Sequence, residues 1–272
     1  YHLGLLPDDV PDHIITVGDP DRTDQVAKYF DKIIKMVSIR EFKTIIGEYR
    51  GRRLMVISTG IGTDNIDIVM NELDALVNID FITREEKLLK RRLNIYRLGT
   101  SGAIHESIAL DTLLVSTHAI GLDCLAHFYE RLDSVEDDQE QYLYNLLKND
   151  LPKIHPYLSF GDKDLITKMD DSLFLKGITT TLPGFYGPQC RNLRAMPLSV
   201  NFLDKISEYE YEGMNVTNLE METAGIYLLA NILGHKAVSI STLVANRRTG
   251  EFSPNPQKSV EHMIKTCFEI IF

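Results

Sequence analysis

Cysteine is scarce: Cys124, Cys190 and Cys267 stand far apart in 272 residues, odd in number and with no CxxC pair. That usage fits a reducing compartment and argues against a zinc site. The eight histidines show no HExxH or comparable ligand spacing, so no transition metal held by the protein is expected. No apolar run reaches membrane-spanning length and no signal-peptide pattern opens the chain, so a cytoplasmic location is expected. The chain begins at Tyr1 rather than Met, which leaves the true N-terminus open. Basic residues are outnumbered, 29 against 39 acids, and the net charge of −10 disfavours nucleic acid or an anionic membrane as partner. Internal repeats, low-complexity tracts and Pro/Ser-rich linkers are missing too, so one domain over residues 1–272 is expected.

An apolar fraction of 44% is enough for a core that needs no disulfide or metal staple. His13–Val17 reads as a buried strand ending in Gly18-Asp19-Pro20-Asp21-Arg22, with a helical pattern from Thr23 to about Phe30. Arg53–Ser58 is a second strand, running into Thr59-Gly60-Ile61-Gly62-Thr63. The helix after it puts Ile66, Val69, Leu73 and Leu76 on one face. Ile95–Leu98 reads as a third strand that runs into a glycine turn at Gly99-Thr100-Ser101-Gly102. Leu113–Thr117, Leu173–Thr181 and Ala237–Val244 read as further strands. Glu222–Leu233 is a helix stopped by Gly234, and a last helix is expected from about Pro256 to Ile271. Thr83–Arg92 is a charged extension, and the acidic run Asp133–Glu140 reads as a solvated face or insertion. Strand, glycine turn and helix in alternation predict an α/β fold whose site lies at the carboxyl ends of its strands.

The glycine turns fit no nucleotide-binding consensus. Asn65 stands where a third Rossmann glycine would, and no Lys-Ser or Lys-Thr pair follows a glycine loop. Arginines are more telling: Arg22 follows the first strand, Arg97 lies in the third, and Arg40 falls between the first two. A guanidinium fork and the N–H groups of a glycine turn suit the same anion, although single arginines most often serve as surface ion pairs. Glu220-Met221-Glu222 lies where a polar turn meets an apolar helix, a place where carboxylates also act simply as caps. Gln189 and Arg191, after the turns Pro183-Gly184 and Gly187-Pro188, offer an amide and a donor-only guanidinium.

In order, His2-Leu3-Gly4-Leu5, Gly18-Asp19-Pro20-Asp21-Arg22, Arg40-Glu41-Phe42, Ser58-Thr59-Gly60-Ile61-Gly62 and Arg97-Leu98-Gly99-Thr100-Ser101-Gly102-Ala103-Ile104 resemble motifs of the nucleoside phosphorylase-I family, on its uridine-cleaving branch. Leu122-Asp123 with His127-Phe128, Phe185-Tyr186 with Gln189 and Arg191, and Glu220-Met221-Glu222 continue the match. The resemblance implies a three-layer α/β/α sandwich around a mixed, partly barrel-like sheet, and phosphorolysis of uridine to uracil and ribose 1-phosphate. It implies phosphate held by Gly18, Arg22, Arg97 and Thr100, with Arg40 entering from a partner subunit. Ribose would be held by Thr100, Glu220, Met221 and Glu222, with the partner's copy of His2 on the 5′-hydroxyl. The base would sit among Ser101, Gly102, Phe185, Gln189, Arg191, Leu243 and Val244. Arg97, Glu222, Gln189 and Arg191 would carry the chemistry.

Purine-specific members place an aspartate after the late strand, and Ser241–Arg247 contains no acid, which favours a pyrimidine. Some members hold potassium through the acid that is Glu41 here and a serine; Asn65 replaces that serine, so no cofactor is expected. A homodimer or a hexamer of three dimers is expected. A purine nucleoside phosphorylase, a nucleoside hydrolase using water, and a catalytically silent nucleoside-binding protein are the alternatives. The arginine set opposes the hydrolase, and the presence of both Glu222 and Arg191 opposes the silent protein.

Overall fold

The computed structural model describes residues 1–131 and 137–272, so the acidic run from Asp133 to Glu136 lies outside the described residues. The elements in chain order are β1 (His13–Val17), α1 (Pro20–Ala27), β2 (Lys32–Ile39), β3 (Phe42–Tyr49), β4 (Arg52–Ser58), α2 (Thr63–Asn78), the short pair β5 (Ile79–Asp80) and β6 (Glu85–Glu86), β7 (Asn94–Ala103) and β8 (Leu113–Gly121). They continue as α3 (Asp137–Leu147), β9 (Tyr157–Phe160), α4 (Lys163–Ile166), β10 (Leu175–Thr181), α5 (Phe202–Ser207), β11 (Glu210–Tyr211), β12 (Met214–Glu220), α6 (Thr223–Leu233), β13 (Lys236–Asn246) and α7 (Pro256–Ile271).

Adjacent residues of β1 show why the sheet needs a helical layer on each face. Ile14 and Ile15 are both fully buried, yet Ile14 belongs to an apolar cluster with Val69 and Leu73 of α2, and Ile15 to one with Val26 of α1 and Phe268 of α7. Successive strand side chains point to opposite faces. The same split separates Met55 and Ile57 from Leu54 and Val56 on β4. Helix α6 joins the α2 side through Ile226 and Leu229. A third cluster, with Leu143 of α3 and Phe202 of α5, covers Ile120 and Ile178.

Among the described residues the larger sheet runs β11-β12-β10-β8-β13-β7-β1-β4-β3-β2, with β9 on β8. A further pairing of β12 with β7, Leu219 opposite Gly102 and Asn218 opposite Ala103, closes β7, β13, β8, β10 and β12 into a ring. The expected α/β/α sandwich with a partly barrel-like mixed sheet is therefore observed, with β1, β4, β3 and β2 forming the open wing.

Two expectations are corrected, and one span carried none. Gly99–Gly102 is not a turn: β7 continues through it, held in parallel register by β13 with Ser241 opposite Gly99 and Leu243 opposite Ser101. The polar run before Met221 is strand β12, not a turn, because Asn218 and Glu220 find buried polar partners. The span between the first two strands holds a long hairpin, β2–β3, whose β2 face is largely exposed and so carries little apolar patterning. Two boundaries shift: α1 runs Pro20–Ala27 where Thr23 to about Phe30 was expected, and β8 extends to Gly121, four residues past Thr117; α7 occupies the expected range behind an Asn255 cap, and α6 stops at Gly234 with φ of 75°.

Candidate active site

A cavity of about 750 Å³ opens at the carboxyl ends of β1, β4, β7, β12 and β13. Its walls include Gly18, Arg22, Gly60, Arg97, Thr100, Ser101 and Gly102, then Glu220, Met221, Glu222 and Val244, with Phe185, Gln189 and Arg191 at the base-loop end. Strand ends supply free backbone groups and converging side chains, which is why open α/β sheets put their sites there.

Arg97 is at the centre. Its guanidinium is buried and Nη2 lies 2.7 Å from Glu222 and 2.8 Å from Glu220. Nη1 turns to the hydroxyls of Ser239 and Ser241 on β13, at 3.5 and 3.4 Å. Gly99 makes this placement possible: a Cβ there would stand 2.0 Å from Arg97 Nη1. The arginine folds back over its own strand, and the glycine is a gap for it rather than a turn residue.

The two glutamates do different work. Glu220 ends β12 and accepts the backbone N–H groups of Glu222 (2.9 Å) and Thr223 (2.9 and 3.1 Å), the free donors at the start of α6. The hydroxyl of Thr181 adds a bond at 2.6 Å and in turn accepts the N–H of Ala224 at 2.9 Å. Glu222 is held by Arg97 and by the Gly62 N–H at 2.8 Å. Burial pushes the Glu222 carboxyl above the usual carboxylate range; the charge of Glu220 adds to this, and Arg97 and Gly62 oppose it.

Arg22 reaches the same region, donating to the Leu98 carbonyl at 3.4 Å. Burial and the nearby charge of Arg97 pull its pKa down, so an anion placed between the two guanidiniums relieves both costs. Gly18 and Thr100 line this end of the cavity.

At the other end, Gln189 is buried and its side-chain oxygen accepts from Arg191. Arg191 also donates to the Phe185 carbonyl at 2.6 Å and stacks its guanidinium 3.6 Å from the Phe185 ring centre. Burial and the charge of Arg247 lower the Arg191 pKa. Ser101 receives a bond from the Asn218 amide at 2.9 Å.

Three expected residues fall elsewhere in the protomer. Leu243 is fully buried against Ala103 and Leu114, because β13 carries a bulge between Leu243 and Ala245 that brings Val244 and Ala245, and not Leu243, to the cavity. Arg40 sits exposed with φ of 55° at the tip of the β2–β3 hairpin, where its neighbour Glu41 lines the cavity instead. His2 is tied to Glu72 on α2 by its ring, at 2.6 Å, and by its backbone N–H, at 2.9 Å.

Other neighbours were not legible as site residues. Arg247 donates to the Gln189 carbonyl at 2.8 Å, and its position directly after the late strand was the available signal. Thr181 and Phe252 carry no local signature. Near Glu41, the Asn65 amide donates to the carbonyl of Ile61, just before α2, at 3.3 Å. Among the described residues no three His, Cys, Asp or Glu side chains gather to hold a metal.

Residues 12–271 match the family model of the Phosphorylase superfamily, and the chain belongs to that superfamily. It is 29% identical over 275 residues to a uridine phosphorylase of Thermococcus kodakarensis, covering all of this chain (100%) and 86% of that protein. With the uridine phosphorylase of Escherichia coli it shares 27% over 274 residues, 99% of this chain and 95% of the other. A crystal structure of a Trypanosoma brucei nucleoside phosphorylase, described as showing uridine phosphorylase activity, superposes with a TM-score of 0.84 at 29% identity, covering 97% of this chain and 95% of that one.

Proposed function

We propose that this chain is a uridine phosphorylase, a pentosyltransferase that converts uridine and phosphate reversibly to uracil and ribose 1-phosphate. The observation that carries the reading is one cavity with two arginines and glycine-borne N–H groups at one end and the Gln189–Arg191 pair at the other. The similarity to uridine phosphorylases over nearly the whole chain supports the same substrate.

Phosphate is held by Gly18, Arg22, Arg97 and Thr100, on the face of the ribose opposite the base. Glu222, with Glu220 and Met221, holds the sugar, its carboxyl kept in place by Arg97 and the Gly62 N–H. As the glycosidic bond lengthens, positive charge grows on the ribose and the phosphate oxygen attacks C1′. The bonding electrons pass to uracil, whose carbonyls and N–H edge meet Arg191 and Gln189. Preorganised donors at such a point contribute about 10²–10³-fold each. Ser101, Gly102, Val244 and the Phe185 ring enclose the base; Arg191 already covers one face of that ring.

The active unit is a homodimer or a hexamer of dimers, in which the partner's copies of Arg40 and His2 complete the site. The exposed apolar residues Ile33, Met36 and Ile39 beside Arg40 support a subunit contact there. The chain is a single catalytic domain, supported by one family match across its length. Three free thiols support a reducing, cytoplasmic setting, and no helix among the described residues is long and apolar enough to cross a membrane.

Uracil release from uridine, with and without phosphate and with inosine in parallel, tests the reading. Phosphate-dependent release from uridine alone is expected. Release without phosphate favours a hydrolase, inosine cleavage a purine enzyme, and silence on both substrates a binding protein.

A further inference from the structure

The ring of β7, β13, β8, β10 and β12 carries a chain of buried polar side chains that the chemistry above does not use. Ser116 Oγ on β8 bonds to the Thr179 hydroxyl on β10 at 2.5 Å. Thr179 donates at 2.8 Å to Oδ1 of Asn218, its register partner on β12, and the Thr217 hydroxyl reaches the same oxygen at 3.0 Å. Asn218 Nδ2 donates to Ser101 Oγ on β7 at 2.9 Å, across the pairing that closes the ring. Ser116, Thr179 and Asn218 are fully buried, and of the four only Ser101 reaches the cavity wall.

A hydroxyl donates one proton, and that limit gives the chain a direction. Run from Ser116 towards Ser101, every proton has an acceptor: Ser116 gives to Thr179, Thr179 to Asn218, and Asn218 to Ser101. With the amide turned round, Thr179 would give to Ser116 instead. The Ser116 proton would then lack an acceptor at a fully buried position, because Ser116 Oγ bonds to no other group among the described residues. A buried donor left unpaired is costly, so the amide keeps its nitrogen on Ser101. Ser101 therefore receives a bond from the protein and keeps its own proton to give. No group among the described residues accepts that proton, and the base end of the cavity lies open to it.

We propose that Asn218 is a positioning residue for base recognition: it fixes Ser101 as a donor, so that the site presents an O–H to a carbonyl oxygen of the pyrimidine. An N–H or amino group at the same point would leave that O–H unpaired, which is how a polar pocket rejects a wrong base. Asn218 does this from outside the cavity wall. The inference rests on the uridine reading and deepens it.

The test uses the full chain, with KM for phosphate and kcat/KM for uridine, 2-thiouridine and 4-thiouridine measured in Asn218→Leu, Ser101→Ala and the double variant. Sulfur is the weaker acceptor, so the wild type should disfavour the analogue whose sulfur meets Ser101. Asn218→Leu keeps the branched shape and removes the bond that orients Ser101. Ser101→Ala is expected to lower kcat/KM for uridine by about tenfold and Asn218→Leu by about fivefold, the scale of one hydrogen bond lost or loosened, with KM for phosphate unchanged. In both, the preference for uridine over one of the thio analogues should shrink by about threefold or more, because the donor that told oxygen from sulfur is gone or misplaced. The double variant should lose less than about twofold beyond Ser101→Ala, because residues of one network do not act additively. An unchanged oxygen-over-sulfur preference in Asn218→Leu, losses that multiply fully, or a KM for phosphate that rises in step overturns the inference and leaves Asn218 as a plain structural residue. Where Asn218→Leu does not fold, Thr179→Val removes a hydroxyl that holds the amide in its orientation and carries the same cycle, with an expected loss of about threefold. Wild-type chain silent on uridine overturns the functional reading and this inference together; active wild type with multiplicative variants overturns the inference alone.

Discussion

Gly99→Ala isolates the placement of Arg97. Gly99 does not have a positive φ, so alanine fits the backbone there. On backbone grounds alone the change would stabilise the protein by about 0.4–1 kcal/mol. The side-chain geometry predicts the opposite sign. A methyl group would stand 2.0 Å from Arg97 Nη1 and 2.5 Å from Cζ. Restoring a contact of about 3.5 Å moves the guanidinium by about 1.5 Å. An exposed arginine would make that move at little cost. This one is buried and pinned at 2.7 and 2.8 Å by Glu222 and Glu220, so moving it leaves two buried carboxylates short of their cation. Breaking a buried pair costs about 3–5 kcal/mol; with partial relaxation we expect a loss of about 3 kcal/mol, read from urea unfolding followed by circular dichroism. Uridine phosphorolysis should fall by about 10²-fold in kcat/KM, with phosphate KM raised. A Gly99→Ala protein as stable as the wild type, or more so, with normal phosphate KM would refute the placement of Arg97.

Arg191→Ala should lower uridine turnover by about 10²–10³-fold with phosphate KM unchanged, as steady-state kinetics in each substrate will show. Thr181→Val keeps the side-chain shape but strips Glu220 of a donor and the Ala224 N–H of its acceptor; a loss of about 1–3 kcal/mol in urea unfolding is expected. Glu72 anchors the N-terminal segment: burial works to raise its pKa, but the N–H groups of His2 and Leu3 and the His2 ring bring it from 4.5 down to about 2. A carboxyl depressed in the folded state stabilises fully above pH 4.5 and loses that contribution as pH falls towards 2. Protection of the His2 and Leu3 amides against hydrogen exchange, relative to an unstructured peptide at the same pH, should therefore fall across that window, and Glu72→Gln should abolish that pH dependence.

The parts of the molecule read most easily from sequence were those governed by local periodicity. β1 and β4, buried on both faces, appear as apolar runs, and α7 appears through its Asn255-Pro256 start and apolar face. β2 was missed because its outer face is left in solvent in this protomer, so Lys32, Lys35 and Ser38 dilute the pattern. The glycines of β7 were misread because glycine usually marks a bend; here one is required by a side chain two residues earlier on the same strand. Arg22, Arg97, Glu220 and Glu222 were legible through their motifs, and the cavity gathers all four. Leu243 was misassigned because a bulge, invisible in residue order, decides which of two neighbouring apolar residues faces the core. The roles of Thr181 and Arg247 depend on partners 39 and 58 positions away, beyond any local signal.

Strand β7 carries Arg97 at the proposed phosphate end and Ser101 and Gly102 at the base end, and it is paired with β1, β13 and β12. Because Arg97 folds back over Gly99, its guanidinium lies about two residues, or roughly 7 Å at about 3.3 Å per residue, from Ser101. That makes β7 a ruler for the substrate, clamped on both edges and unable to stretch. A single inserted residue there would slide one set of contacts past the other and flip every following side chain. The chain can vary in length freely only off the ruler, as in the exposed segment after β5. Lineages sharing this site should therefore differ in surface loops and agree in the residue count between Arg97 and Gly102.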